Sequence, residues 1–390
     1  MPTSVPFSRP SVTVEAQRAA QRALASGWLT TGPEAAAFEE EFASWVGARH
    51  ALAVSSCTAA LELSLRALHL APGSRVLVPA ITFCGVAAAI SHAGLVPVLT
   101  DVDPATATMS ESTAAAAAAA AGGAEAMVAL HYGGAPAQVG EVAAAAGVPL
   151  SRVVEDAAHA LGTWDGVGRV GRASRAACFS FYATKNLPIG EGGMVTTDDD
   201  ELAESVRITR LHGMSHDAWR RYAPGGSWRY DVVADGLKAN LPDVLAAVGR
   251  VQLRSVDDWQ DRRTAIAEAY QRALSHLPGL LLPEEPASGR HAWHLYSIRV
   301  TEQARVTRDE LVDVLARRGI GTSVHFIPLH HLTHVKASVS APVSLAGADA
   351  LFPQLLSLPM YPALSDAEVD FVCTSITEAL SSLPSREVIA

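Results

Sequence analysis

Two stretches of this sequence decide its fold: SFYATKNLPIGEGG at residues 180–193 and VVEDAAH at residues 153–159. A lysine that forms an imine with an aldehyde needs a fixed, partly enclosed amine, and Lys185 lies in the first stretch. An aspartate that ends a buried apolar strand can hold a protonated pyridine nitrogen, and Asp156 ends such a run. Together they indicate pyridoxal 5'-phosphate (PLP) bound to Lys185 as a Schiff base, with Asp156 as the partner of its ring nitrogen.

Short apolar runs recur on both sides of these stretches and predict the strands of one sheet. They occupy residues 51–56, 75–79, 96–101, 126–131, 152–156, 176–181 and 193–197. Helical patterns separate most of them. Unbroken apolar strands that alternate with helices are typical of an α/β fold with a mostly parallel sheet covered on both faces.

The rhythm changes after about residue 250. Helical patterns cover 244–277 (broken near Asp257), 308–318 and 366–383, and alternating strands are predicted at 294–300 and 321–326. This pattern favours a smaller α+β domain. We therefore predict an N-terminal arm at 1–20, a large PLP-binding domain at 21–250 and a small C-terminal domain at 251–390.

The bulk composition limits the classes of function. A chain of 390 residues, 49% hydrophobic and 18% charged, can bury a large core and suits two or three domains. Its net charge of −10 argues against a nucleic-acid partner, and no basic run or long apolar stretch indicates a membrane. The four cysteines show no CxxC spacing, and the first residues lack the features of a signal peptide. We therefore expect reduced thiols and a cytoplasmic protein.

A further cofactor element is SSCTAA at residues 55–60, which joins a predicted strand to a predicted helix. Small residues let the backbone N–H groups of a helix N-terminus face an anion, and Thr58 can add a hydroxyl. This pattern indicates a phosphate cradle. On its own, the stretch fits a plain Ser/Thr helix cap at least as well.

Other candidate side chains also follow predicted strands, at the sheet edge where ligands of open α/β sheets bind. Phe83 could stack on a flat ring, but it is also typical of a core aromatic. His159 could approach the phenolic oxygen of the cofactor, although a lone histidine is more often structural. Asp156 could be a helix cap, and Lys185 a surface lysine. The order of the signals along one sheet, rather than any one of them, favours the PLP site.

The C-terminal part contains a dense group of histidines, namely His325, His330, His331 and His334. A zinc site is one interpretation, but no carboxylate or thiol stands beside them at a suitable spacing. We therefore expect no metal, and we expect one of these histidines to lie near a substrate.

With these motifs in place, the chain resembles the DegT/DnrJ/EryC1/StrS family of PLP-dependent sugar aminotransferases over nearly its whole length. The likeness is carried by residues 27–33 (GWLTTGP), 154–160 (VEDAAHA), 180–186 (SFYATKN) and 190–193 (GEGG). Within the family it is most similar to the UDP-4-amino-4-deoxy-L-arabinose/oxoglutarate aminotransferase type. That closer likeness is carried by residues 5–10 (VPFSRP), 130–136 (LHYGGAP), 291–295 (HAWHL), 318–322 (RGIGT) and 358–360 (LPM).

The resemblance implies PLP-dependent transferase fold type I, which is aspartate aminotransferase-like, and a role for each residue around the cofactor ring. Lys185 would form the internal aldimine and later shuttle the proton. Asp156 would pair with the pyridine nitrogen, His159 would lie at the cofactor's oxygen face, and Phe83 would stack on the ring.

The resemblance also implies a homodimer with shared active sites. The cofactor phosphate would be bound by Cys57, Thr58, Ala59 and Ser180 of one subunit and by Asn240 of the other. On the substrate side we name Thr31, Tyr182 and His325.

The expected reaction moves an amino group from L-glutamate to a keto-sugar, with a nucleotide-linked 4-keto sugar as the leading acceptor. A keto-cyclitol acceptor, as in aminoglycoside assembly, is the nearest alternative. A non-catalytic protein that binds PLP or a sugar nucleotide is a third interpretation. An intact Lys185 and Asp156 argue against it.

Overall fold

The computed structural model describes residues 4–215, 229–286 and 288–382. Its central sheet contains seven strands: β1 (His50–Val54), β2 (Arg75–Pro79), β3 (Val96–Thr100), β4 (Ala126–Leu130), β5 (Val153–Asp156), β6 (Ala176–Ser180) and β7 (Gly193–Thr197). They lie in the order β1-β7-β6-β5-β4-β2-β3. All seven predicted strands are confirmed to within two residues at either end.

The sheet is mostly parallel, as predicted. Strands β3, β2, β4, β5 and β6 run in one direction, whereas β7 is antiparallel to both of its neighbours, β6 and β1. The chain returns from β6 to β7 through residues 181–192 without a crossover helix, and a connection of that kind suits an antiparallel pair. The return loop is the stretch that carries Lys185.

Helices cover both faces of the sheet. Successive residues of each strand point to opposite faces and are mostly apolar, so both faces must be buried. One face is covered by α3 (Cys57–Arg66), α4 (Cys84–His92) and α7 (Asp200–Thr209). The other face is covered by α2 (Pro33–Val46) and α8 (Asp243–Leu253) at one end, and by α5 (Glu111–Ala120) and α6 (Val139–Ala145) at the other. Helix α1 (Val14–Ser26) packs on α8.

A second core lies in the C-terminal part. A three-stranded antiparallel sheet contains β8 (Leu280–Leu281), β9 (Tyr296–Val300) and β10 (Leu355–Leu358), in the order β10-β9-β8. Helices α9 (Val256–Leu274), α10 (Arg308–Arg317) and α13 (Asp366–Ser382) pack in this core. Helix α12 (Ala346–Leu351) instead packs its buried Ala348 and Leu351 into the core of the central sheet. A short helix, α11 (Thr333–Lys336), lies between α10 and α12. The predicted end of the last helix, at residue 383, lies outside the described residues. The predicted domain boundaries at residues 20 and 250 stay predictions.

The predicted strand at 321–326 is wrong. Ser323 forms only an isolated bridge to Ser357, and Gly321 donates its N–H to the carbonyl of Val5 in the N-terminal arm. A Cβ on Gly321 would lie 2.6 Å from the backbone nitrogen of Phe7. The segment is therefore held between the arm and β10 instead of joining a sheet, although its residues alternate as in a strand.

No helix among residues 4–215, 229–286 and 288–382 combines the length and apolarity needed to cross a membrane.

Candidate active site

A cavity of about 350 Å³ lies beyond the carboxyl ends of the central strands, where the small sheet and its helices meet the large one. Ligands of α/β sheets bind at this edge, and the volume suits a small cofactor. The strand ends contribute Ser56, Thr58, Phe83, Asp156 and Ser180. The return loop contributes Tyr182 and Lys185, and the C-terminal part contributes His294, His325, Phe326 and Met360. The cavity therefore brings together most of the predicted site residues.

The predicted phosphate cradle is the N-terminus of α3. Ser56 caps this helix, and its side chain accepts a hydrogen bond from the N–H of Ala59 at 3.1 Å. Cys57 and Thr58 line the cavity, whereas Ala59, the next residue of the helix, does not. A Cβ on Gly193 would lie 2.5 Å from the carbonyl carbon of Ser56, so this glycine lets β7 pack tightly behind the cradle. The positive end of a ten-residue helix therefore faces the cavity, as an anion site requires.

Asp156 ends β5 at the wall of the cavity and is buried. Its Oδ1 accepts a hydrogen bond from the N–H of Ala158 at 3.1 Å and faces the Cys57 thiol at 3.8 Å. Burial raises the pKa of the Asp156 carboxyl, while the Ala158 N–H and the Lys185 charge act in the opposite direction. A buried carboxylate is stabilised by a cationic partner, and a protonated ring nitrogen is such a partner.

Cys57 contacts the same carboxylate from the middle of the cradle. Its Sγ also lies 3.3 Å from the carbonyl oxygen of Cys178. Burial, and next the negative charge of Asp156, raise the pKa of the Cys57 thiol well above its usual value. Cys57 is therefore a protonated thiol that can donate to the carboxylate, and not a nucleophile.

Lys185 lies in the return loop between β6 and β7, where it is half-buried and lines the cavity. Burial lowers its pKa to about 8, although the charge of Asp156 acts to raise it. The neighbouring Asn186 fixes the loop, because its side-chain amide donates to the carbonyl oxygens of Leu161 (3.2 Å) and Ala292 (3.0 Å). The structure therefore contradicts the interpretation of Lys185 as a surface lysine. A fixed amine with a lowered pKa is what imine formation needs.

His159 is also buried at the cavity, and its protonation state follows from its contacts. Its Nδ1 accepts a hydrogen bond from the N–H of Gly133 at 3.2 Å, so the ring proton lies on Nε2. Burial, together with the charges of Lys185 and His325, lowers the pKa of His159 well below its usual value. His159 is therefore a neutral imidazole.

Two residues that sequence reasoning did not select complete the wall around His159. The Phe326 ring is stacked on the His159 ring at 5.8 Å with an interplanar angle of 18°. The His294 ring lies 4.5 Å away and contacts the Asn186 side-chain oxygen through Nδ1 at 3.2 Å. His294 stands in the motif at 291–295, which marks it, but Phe326 lies in the segment misread as a strand.

Phe83 borders the cavity rather than the core. It precedes α4 and is 56% exposed, and its ring lies 6.1 Å from that of Phe326. The alternative of a core aromatic is therefore wrong, and one ring face is available for stacking.

The three residues named for the substrate side fall in two places. Tyr182 and His325 line the cavity, and His325 is held by a contact between its Nδ1 and the Ser357 hydroxyl at 2.9 Å. Thr31 does not line it. Its hydroxyl donates to the carbonyl of Leu241 at 2.7 Å and accepts from the side chain of Asn240 at 2.7 Å. Asn240 is likewise outside the cavity of its own chain.

The donor set around the cavity fits PLP. An amine stands ready for an aldehyde, a buried carboxylate for a ring N–H, and a helix N-terminus with hydroxyls for a phosphate. The match rests on Lys185, Asp156 and Thr58, which line one cavity of suitable size.

Comparison with known proteins gives a consistent result. Residues 10–377 match the DegT/DnrJ/EryC1/StrS aminotransferase family. The chain is 44% identical over 377 residues to the spore coat polysaccharide biosynthesis protein SpsC of Bacillus subtilis, covering 96% of each chain.

Solved structures agree. The aminotransferase TlmJ from Streptoalloteichus hindustanus is 33% identical, with a TM-score of 0.87 over 98% of this chain and 100% of that one. The PLP-form of a protein assigned as a sugar aminotransferase from Streptococcus pneumoniae is 28% identical, with a TM-score of 0.89 over 98% and 100% of the two chains. These matches confirm the predicted fold class.

Proposed function

This chain belongs to the DegT/DnrJ/EryC1/StrS aminotransferase family, and on that premise we propose that it moves an amino group from L-glutamate to a nucleotide-linked 4-keto sugar. Membership makes it a PLP-dependent sugar aminotransferase. The donor, the acceptor and the residue roles are the proposed part. The observation that carries the proposal is the half-buried Lys185, which lines the same cavity as Asp156 and has a pKa lowered to about 8.

PLP supplies an aldehyde carbon that holds the amino group and a ring that stabilises negative charge at the neighbouring carbon. The protein holds and moves the protons. Lys185 Nζ would hold the aldehyde carbon and would serve as the base that takes a proton from the donor's Cα and gives one back. Asp156 keeps the ring nitrogen protonated, and the Cys57 thiol and the Ala158 N–H keep Asp156 in place.

The remaining residues position the cofactor and exclude water. Thr58, Cys57 and Ser180 would hold the phosphate at the start of α3, with Ala59 in the same first turn of the helix. Phe83, which is 56% exposed at the cavity, would pack against the cofactor ring. The neutral His159 would donate its Nε2–H to an oxygen of the cofactor, and the Phe326 ring stacks on the imidazole. A dry, fixed site strengthens each electrostatic contact during proton transfer.

The choice of a sugar acceptor is supported by the SpsC relative, which is named as a protein of spore coat polysaccharide biosynthesis. The resemblance of residues 130–136 and 291–295 to the UDP-4-amino-4-deoxy-L-arabinose type favours a nucleotide-linked 4-keto sugar. His325 and Tyr182 are the residues proposed to contact it, because both line the cavity.

The experiment starts from the visible absorbance of the purified enzyme with PLP. Excess L-glutamate should bleach the cofactor band, and the desalted protein is then mixed with keto acceptors. Recovery of the band with a UDP- or dTDP-4-keto sugar supports the proposal. Recovery only with a keto-cyclitol would move the enzyme to the alternative acceptor class, and no bleaching with L-glutamate would favour the non-catalytic interpretation.

A matched pair of variants controls this experiment. Lys185→Ala should abolish bleaching, whereas Lys336→Ala removes an exposed lysine outside the cavity and should bleach like the wild type. Equal bleaching of both variants would contradict the role given to Lys185.

We also propose a homodimer in which Asn240 binds the phosphate in the partner's cavity. In its own chain the Asn240 side chain donates to the Thr31 hydroxyl at 2.7 Å and lies outside the cavity. It therefore does not contact a cofactor bound in that cavity. Mixing inactive Lys185→Ala subunits with Asn240→Ala subunits should restore activity, because one of the two sites in a mixed dimer is then intact. Unfolding and refolding each variant alone should restore none. Absence of recovery in the mixture would argue against a shared site.

A cytoplasmic location is proposed from the thiols. All four cysteines are free, and Cys57, Cys178 and Cys373 are buried. Proteins of oxidising compartments commonly use such residues in disulfides. Fractionation of the producing cells tests this location.

A further inference from the structure

A group of potential metal ligands lies outside the PLP cavity, in the C-terminal part. His330 and His331 stand in a turn at Leu329–His331, and Asp349 stands in α12. The sequence argued against a metal here because no carboxylate lies close to the histidines along the chain. The fold supplies one, since it brings Asp349 against both imidazoles.

The three side chains converge on a single point. The Nε2 atoms of His330 and His331 each lie 2.8 Å from the same Oδ1 of Asp349. The two imidazole rings are 4.4 Å apart and inclined at 69° to each other. The rings are therefore not parallel, and their nitrogens can point to one place. A tetrahedral zinc site with bonds of about 2.0 Å places its ligand atoms roughly 3.3 Å apart, so only a small outward shift is needed.

Both backbone segments that carry these ligands are fixed by the core. Leu329 is fully buried, and its N–H donates to the carbonyl of Ala80 at 2.8 Å. Helix α12 is held by Asp101, whose carboxylate accepts the N–H groups of Gly347 and Ala348 at 2.8 Å each. The ligand positions are therefore set before any ion arrives, which lowers the entropic cost of binding.

The hydrogen bonding of the group leaves room for a cation. Nδ1 of His330 is buried and has no hydrogen-bond partner among the described residues. Moving the imidazole proton from Nε2 to Nδ1, which metal binding requires, therefore breaks no existing contact at Nδ1. Asp349 is 51% exposed at its side chain, so solvent can enter and fill the remaining coordination position.

We propose that His330, His331 and Asp349 bind one divalent transition-metal cation, with Zn²⁺ as the best match. Two imidazoles and one carboxylate with an open position are a donor set that zinc prefers to Mg²⁺ or Ca²⁺, which favour oxygen ligands. None of the three residues lines the PLP cavity. The ion would join the turn at 329–331 to α12 and so stabilise the packing of the C-terminal part against the end of β2.

The test uses the enzyme with PLP, treated with a chelator and then dialysed against Zn²⁺, with bound metal measured by mass spectrometry. Wild-type protein should bind one equivalent more per chain than Asp349→Asn or His331→Ala. Zinc should also raise the Tm of the wild type and leave the Tm of both variants unchanged. Unaltered PLP absorbance shows that the variants are folded.

Asp200→Asn is the matched control. Asp200 is similarly exposed and lies 2.6 Å from the imidazole of His50, but its other contact is Arg49, which is not a metal ligand. This variant should retain the wild-type equivalent of zinc. If wild type and Asp349→Asn bind the same amount of zinc, or if Asp200→Asn loses as much as Asp349→Asn, the proposal is wrong.

Discussion

The ionisation of Lys185 can be measured through the rate at which its amine reacts. Burial in the cavity lowers the pKa of this side chain to about 8, and the charge of Asp156 acts in the opposite direction. The net shift is therefore a consequence of desolvation. In the apoenzyme we expect Lys185 to react faster with a small electrophile near neutral pH than an ordinary lysine does.

The expected magnitude follows from the neutral fraction of the amine. At pH 7, a lysine with a pKa of about 8 is neutral in roughly 9% of molecules. An ordinary lysine, with a pKa of about 10.4, is neutral in roughly 0.04% of molecules, so the ratio is about 200-fold. An amine of lower pKa is also a weaker nucleophile, so the measured rate ratio should be smaller than this, whereas the midpoint of the pH profile is unaffected.

The composition of the chain makes the assay simple. The sequence contains three lysines, Lys185, Lys238 and Lys336. Apoenzyme is exposed briefly to formaldehyde and cyanoborohydride at several pH values, and mass spectrometry quantifies methylation at each lysine. Exposed Lys336 is the internal reference. Bound PLP should protect Lys185 and leave Lys336 unchanged, which shows that the label reaches the same amine as the cofactor.

A Lys185 profile with a midpoint above about pH 10, or a rate at pH 7 no greater than that of Lys336, would refute the reasoning. Asp156→Asn gives a second test with a definite sign. Removing the carboxylate removes an interaction that raises the pKa of Lys185, so the midpoint should move to lower pH. A shift to higher pH would mean that the charge of Asp156 does not reach the amine.

Three other predictions concern stability and cofactor binding. Glu155→Ala should lower the free energy of unfolding, measured by urea titration, by about 3 kcal/mol, because it leaves Nε2 of the buried His131 without its partner at 2.8 Å. Glu125→Ala breaks the partly exposed ion pair with Arg75 and should cost less than about 1 kcal/mol in the same titration. Asp243→Ala should lower the free energy of unfolding, measured by thermal denaturation, by about 2 kcal/mol, since the Asp243 carboxylate accepts three backbone N–H groups at the start of α2. Asp243→Asn keeps one acceptor oxygen and should lower this free energy by less. Phe83→Ala should raise the Kd for PLP about tenfold in an absorbance titration, and Phe83→Leu by less, because stacking depends on the ring; an unchanged Kd would mean that Phe83 does not contact the ring.

The central sheet could be predicted because each of its strands is apolar on both faces. That property produces unbroken runs whose ends are visible in the sequence, such as the run that ends at Asp156. The site residues at strand ends followed from this directly, since a parallel sheet brings its carboxyl ends to one edge. Asp156, Ser180 and Phe83 all lie at that edge in the structure.

The other half of the cavity wall could not be predicted in the same way. Phe326 and His325 lie in a segment whose alternating pattern predicts a strand, but its hydrogen bonds go to the arm and to a single bridge at Ser357. Which residues of such a segment face the cavity depends on how two cores dock, and local periodicity carries no information about docking. Asp349 illustrates the same limit, because its contact with His330 spans 19 residues.

The pairing of Val5 with Ile320, and the stacking of Phe7 on His325 at 5.6 Å, have a consequence for how the enzyme is made. The ribosome releases the arm first, but its partners are synthesised roughly 300 residues later, which is about 15–60 s of translation. During that interval the arm has no partner to pack against, so the large sheet must fold without the arm.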